Sequence, residues 1–228
     1  MKTVGISIGG RVVSKEGGIN ISYIRGLSEL LKRQENGYRF VLVVGGGYAN
    51  RLAVSSARKE IKSNYVLDEI GIWFTRINAL MLKNLLSSVD VYPNVVADLT
   101  ELKAAMLTDH VVVMGGLVPG ITTDGVCALA CEAVNSNLLI NVSTLGHVYD
   151  KLPSEKGAKP LKKMNHAQLV EMAYRYDSRV AKSDFIFDLF ASKLTQRSNI
   201  EIHFVNDKIK DLEMAITGKS HEGTVVKD

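Results

Sequence analysis

Three consecutive glycines, Gly45 to Gly47, are the part of this chain best suited to bind an anion. They follow five apolar residues, 40–44, that are typical of a buried parallel strand, and helix-forming sequence comes after them. Glycine has no Cβ, so backbone N–H groups in such a turn can approach a phosphate closely. The sequence therefore predicts an anion site at the carboxyl end of this strand.

The same arrangement occurs at two other places in the chain. Gly9 and Gly10 follow the first apolar segment, and Gly115 and Gly116 follow the apolar residues 111–114. Ligands of open α/β sheets bind at the carboxyl edge of the strands. Three glycine turns at three strand ends thus predict one broad phosphate-binding rim.

The elements that must position these turns alternate between strands and helices. This alternation predicts an α/β fold with three layers, αβα, in which helices cover both faces of a central, mostly parallel sheet of the eight-stranded type. Pro93 marks an edge strand, and residues 150–162 are typical of a loop or hairpin. The predicted strands are 2–8, 39–44, 91–96, 110–114, 138–142, 200–205 and 223–226, and the predicted helices are 20–35, 48–60, 66–88, 98–107, 124–134, 166–175 and 187–197.

Composition restricts the possible functions. The net charge of the 228 residues is +4, without a Lys/Arg block, and aromatic residues make up 7% of the chain, so we expect no nucleic-acid partner. No apolar run reaches the roughly 20 residues that span a bilayer, and the first residues enter a strand without a signal sequence, so we expect no membrane partner and a cytoplasmic location. Cys127 and Cys131 lie in an alanine-rich predicted helix and are too few for a zinc site. They are predicted core residues, and no metal-ligating residues are assigned.

An ordered set of motifs occurs along the chain. The motifs are Ser7-Ile8-Gly9-Gly10, Val43-Val44-Gly45-Gly46-Gly47, Gly115-Gly116 with Pro119-Gly120 and Thr122-Thr123-Asp124, and Val148-Tyr149-Asp150-Lys151. Together they resemble the amino-acid kinase superfamily, and within it most closely the archaeal type of uridylate kinase. The narrower likeness is supported by residues 68–72 and 75–80 and by the segment 187–191. The resemblance extends from about residue 2 to residue 226.

The resemblance implies a nucleoside monophosphate kinase that phosphorylates UMP to UDP with ATP and Mg²⁺. The attacking oxygen of UMP is already anionic, so positioning and charge neutralisation suffice and no general base is required. The resemblance also implies a homohexamer built as a trimer of dimers, in which the long helix with Trp73, Phe74, Ile77 and Leu80 could form the dimer face. Residues 1–138 would form a lobe that binds UMP and carries the dimer contacts, and residues 139–228 a lobe that binds ATP.

The resemblance assigns a role to every candidate site residue except Arg11, which is a catalytic candidate of this chain although a small residue is usual at its position in the family. Arg11 and Asp188 would act in catalysis. The residues implied in ATP binding are Gly9, Gly10, Gly47, Arg51, Ser143, Thr144, Tyr149 and Asp150. Those implied in UMP binding are Gly46, Asp68, Gly116, Leu117, Val118, Pro119, Gly120, Ile121 and Thr122.

The chain departs from the family pattern at several positions. Many members carry a Lys where this chain has Ser7, and Arg11 could supply the missing positive charge or simply be exposed. Leu152 stands where an acid is usual, and Asp150 could substitute for it. Lys182 stands where glycine is common.

Some of these residues also have structural interpretations. Asp68, Asp124 and Asp188 could each cap a helix, and Arg51 could be a solvated helix residue. Two other functions stay open. One is another small-acceptor kinase, although the His of isopentenyl phosphate kinases is absent from residues 48–52. The other is a non-catalytic nucleotide- or oxyanion-binding protein.

Overall fold

The computed structural model describes residues 1–176 and 187–228, which build helices around a central sheet. The strands are β1 (Lys2–Ile8), β2 (Ser14–Lys15), β3 (Gly18–Ile19), β4 (Tyr38–Val44), β5 (Val91–Val96), β6 (Val111–Met114), β7 (Leu138–Val142), β8 (Lys163–Met164), β9 (Glu201–Val205) and β10 (Thr224–Val226). The helices are α1 (Gly10–Val13), α2 (Ile21–Gln34), α3 (Gly47–Ala57), α4 (Asn64–Leu85), α5 (Leu99–Thr108), α6 (Thr123–Ala133), α7 (His166–Tyr176), α8 (Leu189–Arg197) and α9 (Ile209–Ile216).

Eight of the described strands form one sheet in the order β5-β6-β4-β1-β7-β9-β10-β8. All neighbours are parallel except β9 and β10, which are antiparallel. The strand β5, with Pro93, lies at one edge of the sheet. The predicted αβα fold class with a mostly parallel sheet is therefore confirmed.

Side chains alternate along the central strands between two apolar cores. Leu42 of β4 contributes to the core that includes residues of α2 and α9, whereas Val41 and Val43 contribute to the core beneath α6. This alternation directs Ser7 of β1 and its register partner Asn141 of β7 towards α6. Two polar side chains are thus placed on a largely apolar face, close to the carboxyl edge of the sheet.

The helix α6 packs closely on the central strand β1. A Cβ added to Gly5 would lie 2.2 Å from the Cys131 Sγ atom, so only glycine permits this approach. Cys127 and Cys131 are both fully buried and free, which confirms their prediction as core residues. The close packing fixes the start of α6 above the carboxyl ends of the central strands.

Of the three aspartates that the sequence suggested as possible helix caps, one caps a helix. Ser63 caps α4 by accepting from the Val66 N–H, and Thr122 caps α6, so the capping alternatives for Asp68 and Asp124 are wrong. Asp188 does cap α8, where it accepts from the Ala191 N–H. Four short elements were not predicted from the sequence: α1, the β2–β3 hairpin, β8 and α9.

A chain of imidazole hydrogen bonds connects β9 to the loop before β10. The Gly223 N–H donates to His221 Nδ1 at 3.0 Å, so the proton of His221 lies on Nε2, which donates to His203 Nδ1 at 2.8 Å. The Nε2–H of His203 then donates to Glu201 Oε1 at 2.8 Å. Burial of the imidazole and the neighbouring His203 lower the pKa of His221 to about 4, with Asp211 acting in the opposite direction.

We expect this histidine pair to make the folded protein less stable at acidic pH. The unfolded chain takes up a proton at His221 near its ordinary pKa of 6.5, whereas the folded chain resists protonation down to about 4. Stability is thus fully present above pH 6.5 and falls as the pH drops from there towards 4. For this half-exposed imidazole the loss should be about 1–2 kcal/mol after solvent screening.

Urea unfolding at pH 8 and pH 5 measures this effect. The His221→Gln variant should lose less stability between the two pH values than the wild type loses, because glutamine does not titrate. Equal losses in both proteins would contradict the assignment.

Candidate active site

A cavity of about 630 Å³ opens at the carboxyl ends of β1, β4 and β7. This is the edge at which the glycine turns were predicted to meet. Its described lining consists of Gly9, Gly10, Arg11, Val12, Gly45, Gly46, Gly47, Asn50, Arg51, Thr123, Asp124, Asn141, Ser143, Thr144, Leu145, Pro153 and Ser154. Two of the three predicted glycine turns thus line one cavity.

The first two glycine turns pack backbone against backbone. A Cβ on Gly10 would lie 2.0 Å from the Gly47 nitrogen, and a Cβ on Gly45 would lie 2.6 Å from the Gly10 nitrogen. Gly47 also has a φ of 71°, a conformation that other residues rarely adopt. Glycine is required here because the two turns share one narrow space.

Two neighbouring asparagine side chains hold the triple-glycine turn in place. Asn78 of α4 donates from Nδ2 to the Gly45 carbonyl at 2.8 Å. The side chain of Asn50 packs so closely on Gly46 that a Cβ there would lie 2.4 Å from Asn50 Nδ2. Sequence reasoning missed both residues, although Asn78 belongs to the segment 75–80 that supported the family resemblance.

Two arginines contribute positive charge to the cavity lining. Arg11 lies on α1, directly after the first glycine turn, and Arg51 lies on α3, directly after Asn50. Both residues are exposed, so their guanidinium groups can reach a ligand at the cavity mouth. A cavity with glycine N–H groups and two arginines favours a polyanion.

A polar cluster forms the inner wall of the cavity beneath α6. Ser7 Oγ and Asn141 Nδ2 both donate to Asp124 Oδ1, at 2.6 Å and 2.8 Å. Desolvation of its carboxyl group raises the pKa of Asp124 to about 7, and the nearby Asp188 acts in the same direction, whereas the two hydrogen bonds oppose the shift. A carboxyl group perturbed in this way, in a cleft, is a candidate functional group.

A loop of residues 115–122 lies beside the cavity and is held by α4. The Gly116 N–H donates to Thr75 Oγ1 at 2.6 Å, and Arg76 Nε donates to the Gly116 carbonyl at 3.2 Å. The Gly120 N–H donates to Asp68 Oδ2 at 2.9 Å. The prediction assigned Asp68 and this loop to UMP binding, but it gave no site role to Thr75 and Arg76, which belong to the segment 75–80 that supported the family resemblance.

At the end of this loop, hydrogen bonds of the Thr122 side chain connect the start of α6 with the start of α8. Thr122 accepts from the Gly125 N–H at 3.1 Å and donates its own hydroxyl hydrogen to the Asp188 carboxylate. Thr123 and Asp124 follow directly and line the cavity. The loop and the cavity therefore meet at the first turn of α6, where the helix dipole favours an anion.

The structure brings together some of the predicted site residues and separates others. Those predicted residues that line the cavity are Gly9, Gly10, Arg11, Gly46, Gly47, Arg51, Ser143 and Thr144. Asp68, Asp188 and the loop residues Gly116, Leu117, Val118, Pro119, Gly120, Ile121 and Thr122 form the adjacent cluster, outside the described lining.

Tyr149 and Asp150 also lie outside the described lining. Tyr149 forms a β-bridge with Pro160, and Asp150 accepts from the Lys159 N–H at 2.8 Å. Both residues brace the segment after β7, which places Pro153 and Ser154 in the cavity wall instead. Their assignment to ATP stays a prediction, and Lys182 falls outside the described residues.

Comparison with known proteins identifies the family. The model of the amino acid kinase family matches residues 2–206. The chain belongs to this family. The family predicted from the ordered motifs is therefore confirmed.

Several uridylate kinases are similar to this amino acid kinase family member over nearly their full length. That of Methanopyrus kandleri is 33% identical and covers 97% of this chain and 98% of its own sequence. That of Thermoplasma acidophilum is 34% identical, with coverages of 100% and 97%. The uridylate kinase structure from Archaeoglobus fulgidus superimposes with a TM-score of 0.83 at 32% identity and covers 99% of this chain and 100% of its own.

A more distant structure supports the amino acid kinase fold alone. The UMP kinase of Bacillus anthracis superimposes with a TM-score of 0.80 at 22% identity, over 100% of this chain and 96% of its own. Among residues 1–176 and 187–228, none of the helices combines the length and apolar character needed to cross a bilayer.

Proposed function

We propose that this chain transfers the γ-phosphoryl group of ATP to UMP and so produces UDP and ADP. The proposal is supported by its similarity to uridylate kinases over nearly the whole chain. The observation that carries it is the meeting of two anion-binding surfaces at the start of α6. One is the glycine-lined cavity, and the other is the end of the loop 115–122, which leads into the first turn of α6, where the helix dipole favours an anion.

In this proposal the cavity holds ATP. Gly9, Gly10 and Gly47 offer N–H groups to the phosphates, and Arg51 contributes charge, whereas Ser143 and Thr144 contact the nucleoside. Residues 139–228 then form the ATP lobe, to which Tyr149 and Asp150 also belong. Residues 1–138 form the UMP lobe, in which Gly46, Asp68 and the loop 116–122 receive the acceptor.

The reaction needs positioned substrates and neutralised charge rather than a general base. The acceptor phosphate of UMP is already a nucleophile, so alignment of its oxygen with the γ-phosphorus supplies much of the rate enhancement. Arg11 and the backbone N–H groups stabilise the charge that is spread over the transferring group. Asp188 acts by holding Thr122 at the junction of the two sites.

The inner wall of the cavity fits the Mg²⁺ that accompanies ATP. Asn141 Oδ1 is buried without a hydrogen-bond partner in the described part of the chain, beside the carboxylate of Asp124. Both groups present oxygen, the ligand type that Mg²⁺ prefers. Bound there, Mg²⁺ would neutralise charge on the ATP phosphates.

An acceptor comparison tests the proposed function. ATP consumption is measured with UMP, CMP, isopentenyl phosphate or no acceptor at equal concentrations. We expect UMP to give the highest rate. Faster turnover of CMP or isopentenyl phosphate would refute UMP as the acceptor, and ATP binding without turnover would favour a non-catalytic nucleotide-binding protein.

We further propose that two copies pair through the exposed face of α4, and that three such dimers form a hexamer. The apolar side chains on this face are Val66, Trp73, Ile77, Leu80 and Met81, and Trp73 is 63% exposed. Their stripe is about 22 Å long at 1.5 Å per residue. In a dimer with a two-fold axis, the stripe of one copy packs against the same stripe of the other copy. Monomers rarely expose a large contiguous apolar patch.

Sedimentation velocity tests this interface. Trp73→Glu should give a smaller species than the wild type, because it places a charge at the centre of the stripe. Leu107→Glu is the matched control, since Leu107 is 77% exposed on α5 and should leave the assembly unchanged. A Trp73→Glu variant that sediments like the wild type would refute the interface.

Both proposed substrates are metabolites of the cytoplasm. We therefore propose a cytoplasmic location for this activity.

A further inference from the structure

Asn141 leaves a buried polar atom without a hydrogen-bond partner in the described part of the chain. Its side chain is directed from β7 into the cavity wall, and the residue is 4% exposed. Nδ2 donates to Asp124, but no described residue donates to Oδ1. A buried acceptor without a partner has lost its hydrogen bonds to water and gained none in return, which destabilises the folded protein. Such a cost points to a ligand that completes the site.

The missing partner must be a hydrogen-bond donor or a cation. ATP phosphates at neutral pH present only acceptor oxygens, so they cannot satisfy Asn141 Oδ1. Both hydrogen bonds that Asp124 receives from Ser7 and Asn141 end on Oδ1, so neither of them uses the other carboxylate oxygen. The amide oxygen and this carboxylate thus form a small group of acceptors beside the phosphate-binding turns.

We propose that Asn141 Oδ1 and the Asp124 carboxylate bind, directly or through a water molecule, the divalent cation that accompanies ATP. The inference rests on the proposed function, because it assumes that ATP phosphates occupy the cavity. Mg²⁺ usually takes one or two protein carboxylates together with substrate phosphates and retains several waters. A site with one carboxylate and one amide oxygen matches that pattern.

This arrangement explains why an uncharged residue, Ser7, suits a position where many family members carry a Lys. A Lys at this position would place a fixed positive charge against Asp124 and would repel a cation. The Ser7 hydroxyl is uncharged, and it orients the carboxylate by donating to Oδ1. The charge that a Lys would supply is then brought by the bound cation.

Electron paramagnetic resonance of Mn²⁺ tests the site without measuring turnover. Mn²⁺ is titrated into the full chain with a saturating non-hydrolysable ATP analogue, and the free Mn²⁺ signal gives the dissociation constant. Asn141→Ala and Asp124→Asn should each weaken Mn²⁺ binding at least about tenfold, the lower limit for lost metal-site contacts. Asn84→Ala, an exposed asparagine on α4, is the control and should bind Mn²⁺ like the wild type.

The outcomes separate this inference from the proposed function. Asn141→Asp restores an oxygen ligand and should bind Mn²⁺ at least as tightly as the wild type, which shows that the loss in Asn141→Ala is not misfolding. Mn²⁺ affinities that are equal in the wild type, Asn141→Ala and Asp124→Asn would overturn the site even if UMP is phosphorylated. Weakened Mn²⁺ binding would support the site even if the acceptor is another phosphate.

Discussion

Gly10→Ala is expected to lower ATP-dependent phosphorylation of UMP by at least about a hundredfold, the effect of a 1 Å misplacement in a catalytic site. The added Cβ would lie 2.0 Å from the Gly47 nitrogen and 2.6 Å from its Cα. Both obstacles are backbone atoms, so the two glycine turns must move apart. Steady-state kinetics should show the loss in kcat/KM for ATP, and overpacking should cost about 1–3 kcal/mol of stability.

Gly37→Ala is the matched control for this substitution. A Cβ on Gly37 would contact only the Gln34 carbonyl oxygen, at 4.0 Å, and Gly37 does not line the cavity. This variant should therefore keep the wild-type activity and stability. Full activity in Gly10→Ala would show that the contact between the two turns does not shape the ATP site.

The local pattern predicted the fold and the rim of the site because both depend on neighbouring residues. The apolar run of β4 followed by Gly45–Gly47 contains within one short segment the strand, the turn and the start of α3. Parallel strands place their carboxyl ends at one edge, so the meeting of two glycine turns in one cavity follows from topology. The short elements α1 and α9 were missed because neither carries a long periodic pattern.

The polar cluster could not be predicted because its contacts are distant in sequence. Ser7 and Asp124 are 117 residues apart, and the Asn141–Asp124 contact requires β7 to pair beside β1. For Asp124, a local pattern suggests only a helix cap. The structure instead gives the cap to Thr122 and directs Asp124 towards the sheet.

The contacts that hold the loop 115–122 could not be predicted for the same reason. Thr75 and Arg76 lie on α4, about 40 residues before the loop residues that they bind. Their positions resemble an ordinary helix surface until α4 is packed against the carboxyl end of β6. Asp68 was assigned to UMP binding only because the family resemblance suggested it, and its bond to Gly120 is compatible with that role.

Arg51→Ala should lower kcat/KM for ATP about tenfold to hundredfold. Arg51 lines the cavity one residue after Asn50, on the helix that starts at the triple glycine. A hydrogen bond between its guanidinium group and an ATP phosphate would contribute about 1.5–3 kcal/mol, and each 1.4 kcal/mol corresponds to about a tenfold change in rate. Because the lost contact is to ATP, the KM for UMP should change little.

Arg58→Ala separates a phosphate contact from a general loss of positive charge. Arg58 lies one residue past the end of α3, outside the described cavity lining, and its guanidinium group donates to Asn64 Oδ1. Arg58→Ala removes the same charge close to the end of this helix, and its kinetics should match those of the wild type. Arg51→Lys should recover part of the lost rate, because it restores the charge without the planar pair of donors. If Arg51→Ala and Arg58→Ala gave the same constants for ATP, Arg51 would be a solvated surface residue, and Arg11 would be the remaining arginine described in the cavity wall.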